Sequence, residues 1–285
     1  MVYYYAFTGH KNGLDRLKRA SVVLNKLRAN GVETMLLVND FRAGLVAKEF
    51  GVPESVTIET IQDIDAIAEA GASVIIDSPE DDHGRLVKYC ADFKQVFRFA
   101  ESPEDKSIHG EIMLRLDCQD EACISALIVD DVYFEKHEKK ERTLFFLSDS
   151  DADKTILKNA EFFKETNMEL LLGHYFYVKY EDDLAKIFKT MYEPEEYTDL
   201  ICSSTRVVTA SFQTALEARV AGAEVVFIEI NQLSEDKKNL LSLLQIMVMI
   251  SFNVEDSHKI INQGLIKRVK IAKNNEIIKK ILNKL

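Results

Sequence analysis

Three short stretches of this chain place proton-carrying or anion-binding side chains just after apolar runs. The first is TGHKNGLDR, residues 8–16, whose one histidine, His10, stands shortly before an amphipathic helix pattern. Unpaired backbone N–H groups and the helix dipole at such a start suit a diphosphate or a carboxylate. His10, with an ordinary pKa of about 6.5, suits a general base at neutral pH; the alternative is a histidine in a plain surface turn. Asp15 is either a third reactive group or the cap of the helix. Gly13, Arg16 and Arg19 are candidate substrate contacts, the arginines and Lys18 alternatively being solvated helix charges.

The second stretch, IIDSPEDD, ends an apolar run in Asp77. A carboxylate there can orient a substrate hydroxyl or act as a base, or it can cap a helix that has Pro79 in its first turn. The third group comprises LSDSDADK and TASFQT. Ser150, Ser211 and Thr214 can donate to phosphate oxygens, whereas Asp149 and Asp151 would repel a diphosphate. Helix capping by Ser and Asp is therefore the stronger reading of LSDSDADK. Glu217, one turn further on, either accepts hydrogen bonds from a ribose or is solvated. The cysteines Cys90, Cys118, Cys123 and Cys202 show no CxxC spacing and no nearby histidine pair. They predict neither a metal site nor a disulfide, but small core residues in a reducing cytoplasm.

These side chains need elements to hold them. VYYYAF, VETMLLV, SVTI and ASVIID read as strands, separated by helical patterns that stop at Gly31 and Gly51. FKQVFRF, IMLRL and SALIV add three strands. The charged run Glu135 to Arg142 reads as a solvated linker, after which the alternation restarts with TLFFLSD, MELLLG, RVVTA and AEVVFIEI. DADKTILKNAEFFKET, YEDDLAKIFKTM and FQTALEARVAG are the helices between them, and helices fill most of the remainder. Strands alternating with helices in this way predict α/β architecture: two doubly wound, Rossmann-like domains, residues 1–135 and 136–285, with a cleft between them. Ligands of such sheets sit outside the carboxyl ends of the strands.

At 285 residues the chain has room for two domains, and its net charge of −11 argues against a nucleic-acid binder. MVYYYAFTG lacks the pattern of a signal peptide. The longest apolar run, LLSLLQIMVMISF, is too short to span a bilayer and predicts a buried helix. A cytoplasmic protein with no cofactor and no membrane span is expected.

The stretch from Thr209 to Gln232 resembles the glycosyltransferase-B superfamily, in particular the group of MurG and of PseG, the UDP-sugar hydrolase of pseudaminic acid biosynthesis. Thr209, Ala210, Thr214, Glu217, Ala218, Gly222, Asn231 and Gln232 stand at the spacing of that group's motif. The departures are equally specific. Ser211 and Phe212 replace paired glycines, and Ser148 to Asp151 replace a glycine-glycine-threonine-aspartate turn. Matching the family's arginine to Arg19 puts Arg16 where its catalytic histidine would be, and an arginine is no base near neutral pH. The resemblance implies a UDP-sugar as partner, uridine and ribose near Thr214 and Glu217, and the sugar facing His10, Asp15 and Asp77. Ser211, Phe212, Asn231 and Gln232 complete the implied substrate contacts. It leaves two readings: hydrolysis or transfer of a glycosyl group in bacterial surface-glycan or flagellin-glycan synthesis, or a binding protein that has lost catalysis.

Overall fold

The computed structural model describes residues 1–118, 123–164, 166–252 and 275–285. The chain forms two compact units. The first takes in Met1–Ile128, Ser234–Asp236 and Asn274–Leu285, and the second Val129–Leu233 and Lys237–Lys273. Residues 234–236 and 274–285 therefore lie in the first unit, whereas a division at 135/136 puts them in the second.

In the first unit, β1 (Val2–Ala6) leads to α1 (Asp15–Ala29), β2 (Thr34–Val38), α2 (Phe41–Val46) and β3 (Ser55–Thr57). Then α3 (Ile64–Ile67), β4 (Ser73–Asp77), α4 (Arg85–Asp92), β5 (Gln95–Phe99), β6 (Ile112–Arg115) and β7 (Cys123–Ser125) follow. The described strands form one parallel sheet in the order β3-β2-β1-β4-β5-β6-β7. The order reverses direction between β1 and β4, the place where the loops after two neighbouring strands part to opposite sides. Every residue of β1 and of β4 is buried, as a strand covered on both faces requires. Tyr3 and Tyr5 pack with Val74, Ile76, Leu86 and Tyr89. Tyr4, on the opposite face of the same strand, instead reaches Asp77. Leu14, just before α1, and Leu17, Val22, Leu24 and Leu27 within it are all buried, together with Ala20, Ser21 and Val23, so the helix is covered over more than one stripe.

The first strand of the second unit is β8 (Lys140–Phe146), so the run Glu135 to Arg142 is not all linker: its last residues start a strand. Arg142 is held there by Ser203, Ser204 and Tyr192. Next come α5 (Thr155–Lys158), α6 (Ala160–Phe163), β9 (Glu169–Leu171), α7 (Val178–Leu184), β10 (Met191–Tyr192) and α8 (Tyr197–Ser203). β11 (Ser204–Thr209), α9 (Phe212–Val220), β12 (Glu224–Glu229), α10 (Glu235–Leu243) and β13 (Met247–Ile250) complete it. The parallel order is β10-β9-β8-β11-β12-β13, with its reversal between β8 and β11. Phe145, Phe162, Phe163, Leu170, Val208, Val226 and Ile228 form part of its core.

Four expectations need correction. LLSLLQIMVMISF is not one buried helix: α10 ends at Leu243, and MVMI is β13, with Ile250 77% exposed. β-branched and flexible apolar residues pack as well beside β12 as in a helix, and β12 had an unpaired edge to fill. SALIV contributes only Ser125 to a strand: β7 ends there, and the Ala126 N–H makes the last ladder bond, to the Arg115 carbonyl. DADKTILKNAEFFKET is two short helices, broken at Asn159, whose side chain takes the Thr155 carbonyl at 2.8 Å. Finally, Cys118 and Cys123 are joined as a disulfide, with Cα atoms 5.7 Å apart. Cys202 is buried as expected, and Cys90 is half-buried. The remaining helical expectation over 253–274 lies outside the described residues.

Candidate functional site

In the first unit the reversal point is filled by charge. Arg19, one turn into α1, grips Asp77 at the end of β4 with Nε to Oδ2 at 2.6 Å and Nη2 to Oδ1 at 2.5 Å. The Tyr4 hydroxyl donates to Oδ2 at 2.9 Å. Arg16, one residue into the same helix, has Nε 3.4 Å from Asp77 Oδ1 and Nη2 2.7 Å from Glu101 Oε2. Arg19 also lies over the Phe99 ring, 4.8 Å from its centroid.

Asp77 is fully buried, and two guanidinium groups and a phenol surround its carboxylate, the partners a buried carboxylate needs. Burial works against the charge on Arg19, but Asp77 beside it outweighs that and raises the arginine pKa. Burial, then the Asp77 charge, push the Tyr4 phenol well above its ordinary value. Asp77 does not cap a helix, since α4 begins only at Arg85. Nor is it a free base, because both oxygens are occupied. Arg16, Lys18 and Arg19 are not solvated helix charges: Lys18 is buried and the two arginines are mostly covered.

The loop after β1 is a tight turn in which the N–H groups of Asn12 and Gly13 both donate to the Gly9 carbonyl. Gly9 and Gly13 have φ of 135° and 69°, the region that glycine alone enters without strain. Thr8 is fixed by Asn39, its N–H donating to Oδ1 at 2.7 Å. His10 stands exposed at the tip of this turn, and Asp15 is half-buried in the first turn of α1.

In the second unit the loops after β8 and β11 meet at the reversal point, where the Ala210 N–H donates to the Leu147 carbonyl at 3.1 Å. Ser211 caps α9: its hydroxyl accepts from the Thr214 N–H at 3.1 Å and shares a hydrogen bond with the Thr214 hydroxyl at 2.7 Å. From there a chain of hydroxyls runs inward. Thr214 Oγ1 lies 2.7 Å from the Tyr197 hydroxyl, which donates to Glu217 Oε2 at 2.5 Å. Gln213 Nε2 donates to Glu217 Oε1 at 2.8 Å. Ser211, Gln213, Thr214, Glu217 and Tyr197 are all buried. Glu217 is therefore neither solvated nor aimed outward: its two oxygens are used inside the unit. Burial, then the charge of Glu217, raise the Tyr197 pKa well above its ordinary value.

Phe212, at the first position of α9, is half-buried, with the Lys237 ammonium 5.6 Å from its ring centroid. Asn231 and Gln232 are exposed after β12. Ser150 is half-buried in a turn whose N–H donates to Ser148 Oγ. Asp151 takes the Thr155 and Ile156 N–H groups at 2.6 and 2.9 Å, so capping is its role. Among the described residues no group of three or more potential ligands could hold a metal ion.

Sequence reasoning overlooked three members of these sites. Tyr4 and Tyr197 carried no positional signal: a tyrosine in an apolar run, as Tyr4 is, reads as core, and Tyr197 stands in the acidic stretch EPEEYTD. His174 did carry one: like His10 it follows a strand, β9, and its Nδ1 lies 2.8 Å from Oδ1 of the fully buried Asp149.

No family model matches the chain, and no curated protein matches it either. Solved structures do. Over 99% of both chains it is similar to the UDP-GlcNAc 2-epimerase of Methanocaldococcus jannaschii in complex with UDP-GlcNAc and UDP, at 11% identity and a TM-score of 0.61. The chain has the glycosyltransferase-B fold. It is also similar to the spinosyn rhamnosyltransferase SpnG complexed with spinosyn aglycone, at 10% identity and a TM-score of 0.58, over 91% of this chain and 90% of that one. Acinetobacter baumannii MurG matches at 10% identity and 0.51, over 91% and 89%. At such identities the likeness is one of fold, and the glycosyltransferase-B fold here carries two parallel sheets in which α1 and α9 both start at the reversal point. No described helix is long and apolar enough to cross a membrane.

Proposed function

We propose that the protein is a nucleotide-sugar-dependent enzyme that takes a UDP-sugar and hydrolyses or transfers its glycosyl group. The observation that carries this reading is the full-length likeness to an epimerase complexed with UDP-GlcNAc and UDP. In the second unit, the start of α9 and the exposed Asn231 and Gln232 offer donors at strand carboxyl ends, where α/β sheets take ligands. Phe212, the first residue of α9, offers a ring face at that helix start. Thr214 and Glu217 serve this half indirectly, by fixing the Ser211 cap through Tyr197.

In the first unit, His10 is the proposed base, because Asp77 is held by Arg19. It would accept a proton from water or an acceptor hydroxyl as the new bond forms at the anomeric carbon. The old C–O bond breaks, and its electron pair leaves with the diphosphate. Asp77 and Arg19 keep α1 in place, and with it Asp15, Arg16 and the turn around Gly13. Hydrolysis as in the pseudaminic-acid enzyme, and a place in bacterial surface-glycan synthesis, follow from the resemblance of residues 209–232.

A second reading, a binding protein that retains this fold without catalysis, is favoured by one observation: Asp77, Thr214 and Glu217 all spend their polar atoms within the protein. Calorimetry and thermal melting with UDP, UDP-GlcNAc and a CMP-sugar decide between them. A ligand at a hundred times its Kd adds about 2.7 kcal/mol, and UDP or UDP-GlcNAc is expected to raise the melting temperature. A flat response to all three would overturn the nucleotide-sugar reading. With binding and turnover in hand, His10→Ala should slow turnover roughly a hundredfold or more; an unchanged rate removes His10 as the base.

A further inference from the structure

The four cysteines divide into a bonded pair, Cys118 and Cys123, and two free thiols, Cys90 and Cys202. The pair sits where β6 hands over to β7, the three-residue strand at the sheet's edge. Met113 is the register partner of Cys123 itself, so the bond ties the start of β7 to the segment leaving β6. One disulfide in a chain of this size is unlike the dense frameworks of small secreted domains, and such a bond opens by thiol–disulfide exchange.

This bond is continuous with the charged group at the reversal point. Asp117, next to Cys118, accepts from Arg115 Nε at 2.9 Å and Nη2 at 3.1 Å. The same guanidinium donates to the Pro103 carbonyl at 2.6 Å and to the Asp105 carbonyl. The Asp105 side chain takes the N–H groups of Glu101 and Ser102 at 2.8 and 3.3 Å. Glu101 in turn pairs with Arg16 at the start of α1, beside Asp77. Every link lies within the first unit. Asp117 is exposed and adjoins Cys118 in the chain, so the disulfide anchors the backbone that carries its carboxylate.

We propose that Cys118 and Cys123 form a redox clasp that holds the loop Glu101–Asp105, and through it Arg16, in the arrangement seen here. Opening it takes a dithiol reductant. The S–S bond breaks, Cys118 and Cys123 each gain a proton and an electron, and the dithiol closes to its own disulfide. With the clasp open, Asp117 no longer presents Arg115 to the Pro103 and Asp105 carbonyls, and the loop loosens.

The test is hydrogen exchange on the full-length chain, oxidised and after dithiothreitol, followed by mass spectrometry. The amides of Glu101 and Ser102 should exchange roughly tenfold faster in the reduced protein, while those of β1 and β4 stay protected. Reoxidation should restore the slow rate. Asp117→Asn, with the disulfide intact, should reproduce the faster exchange and make it insensitive to reductant. Equal exchange in the oxidised and reduced protein would overturn the clasp, as would four free thiols in protein unfolded without reductant. Nucleotide binding plays no part in this readout, so it stands or falls separately from the proposed function.

Discussion

Asp77 carries a carboxylate at a strand end that water does not reach, and three side chains, Tyr4, Arg16 and Arg19, surround it. Removing the strongest of them leaves a buried charge uncompensated, which costs far more than the pair is worth intact. Arg19→Met is accordingly expected to lower stability by roughly 3–5 kcal/mol in urea unfolding. A loss well under 1 kcal/mol would show that the bidentate contact is dispensable. Glu111 gives a pH signature. It is buried and accepts from the His109 and Ile108 N–H groups and from Arg98. Burial alone would raise its pKa, but the backbone N–H groups of His109 and Ile108 and the Arg98 guanidinium outweigh it, and the value falls below the ordinary 4.5. A carboxylate with a depressed folded pKa stabilises above its unfolded pKa and loses that contribution as pH falls through the folded one. Glu111→Gln should therefore cost about 1–3 kcal/mol at pH 7, with the gap to wild type closing below the ordinary carboxylate range. Urea midpoints measured from neutral to acid pH would read this, and a pH-independent gap would contradict it.

Gly173, at the end of β9, shows how closely two elements can meet. A Cβ there would lie 2.5 Å from the Asp149 carbonyl oxygen and 2.6 Å from the Ser148 carbonyl oxygen. Those atoms are backbone, so they cannot swing aside. The same approach lets the Tyr175 N–H donate to the Asp149 carbonyl at 3.0 Å and brings His174 to the Asp149 side chain. Gly173→Ala should cost about 1–3 kcal/mol through overpacking and displace His174, seen as a changed imidazole resonance in NMR spectra. Glycine at this position was visible in MELLLG as the end of a strand, but nothing in a linear pattern says that a second strand end passes over it.

At the scale of the molecule, the helix Asn275–Leu282 belongs to the first unit, with Ile277, Ile278 and Ile281 buried and α1 and β7 as its neighbours. Ile281→Ala is expected to cost roughly 2–5 kcal/mol, and the destabilisation should appear as faster amide exchange in α1. Unchanged protection of α1 would contradict that packing. The alternation of strands and helices, the burial of β1 and β4, and the helix stops at Gly31 and Gly222 were legible in the sequence, following from local periodicity and from the left-handed backbone that glycine tolerates, with φ of 79° and 87°. The stop expected at Gly51 was not met: α2 already ends at Val46, and turns carry the chain on to the glycine. The strand ends that carry His10, Asp77 and Ser211 were legible for the same reason. Which atoms those residues meet was not. Arg19 and Asp77 are 58 positions apart, and Tyr197 and Glu217 are 20. Whether a carboxylate is a free base, a buried anchor or a solvated charge depends on the groups the chain brings against it, and those come from distant segments brought together only when the sheets form.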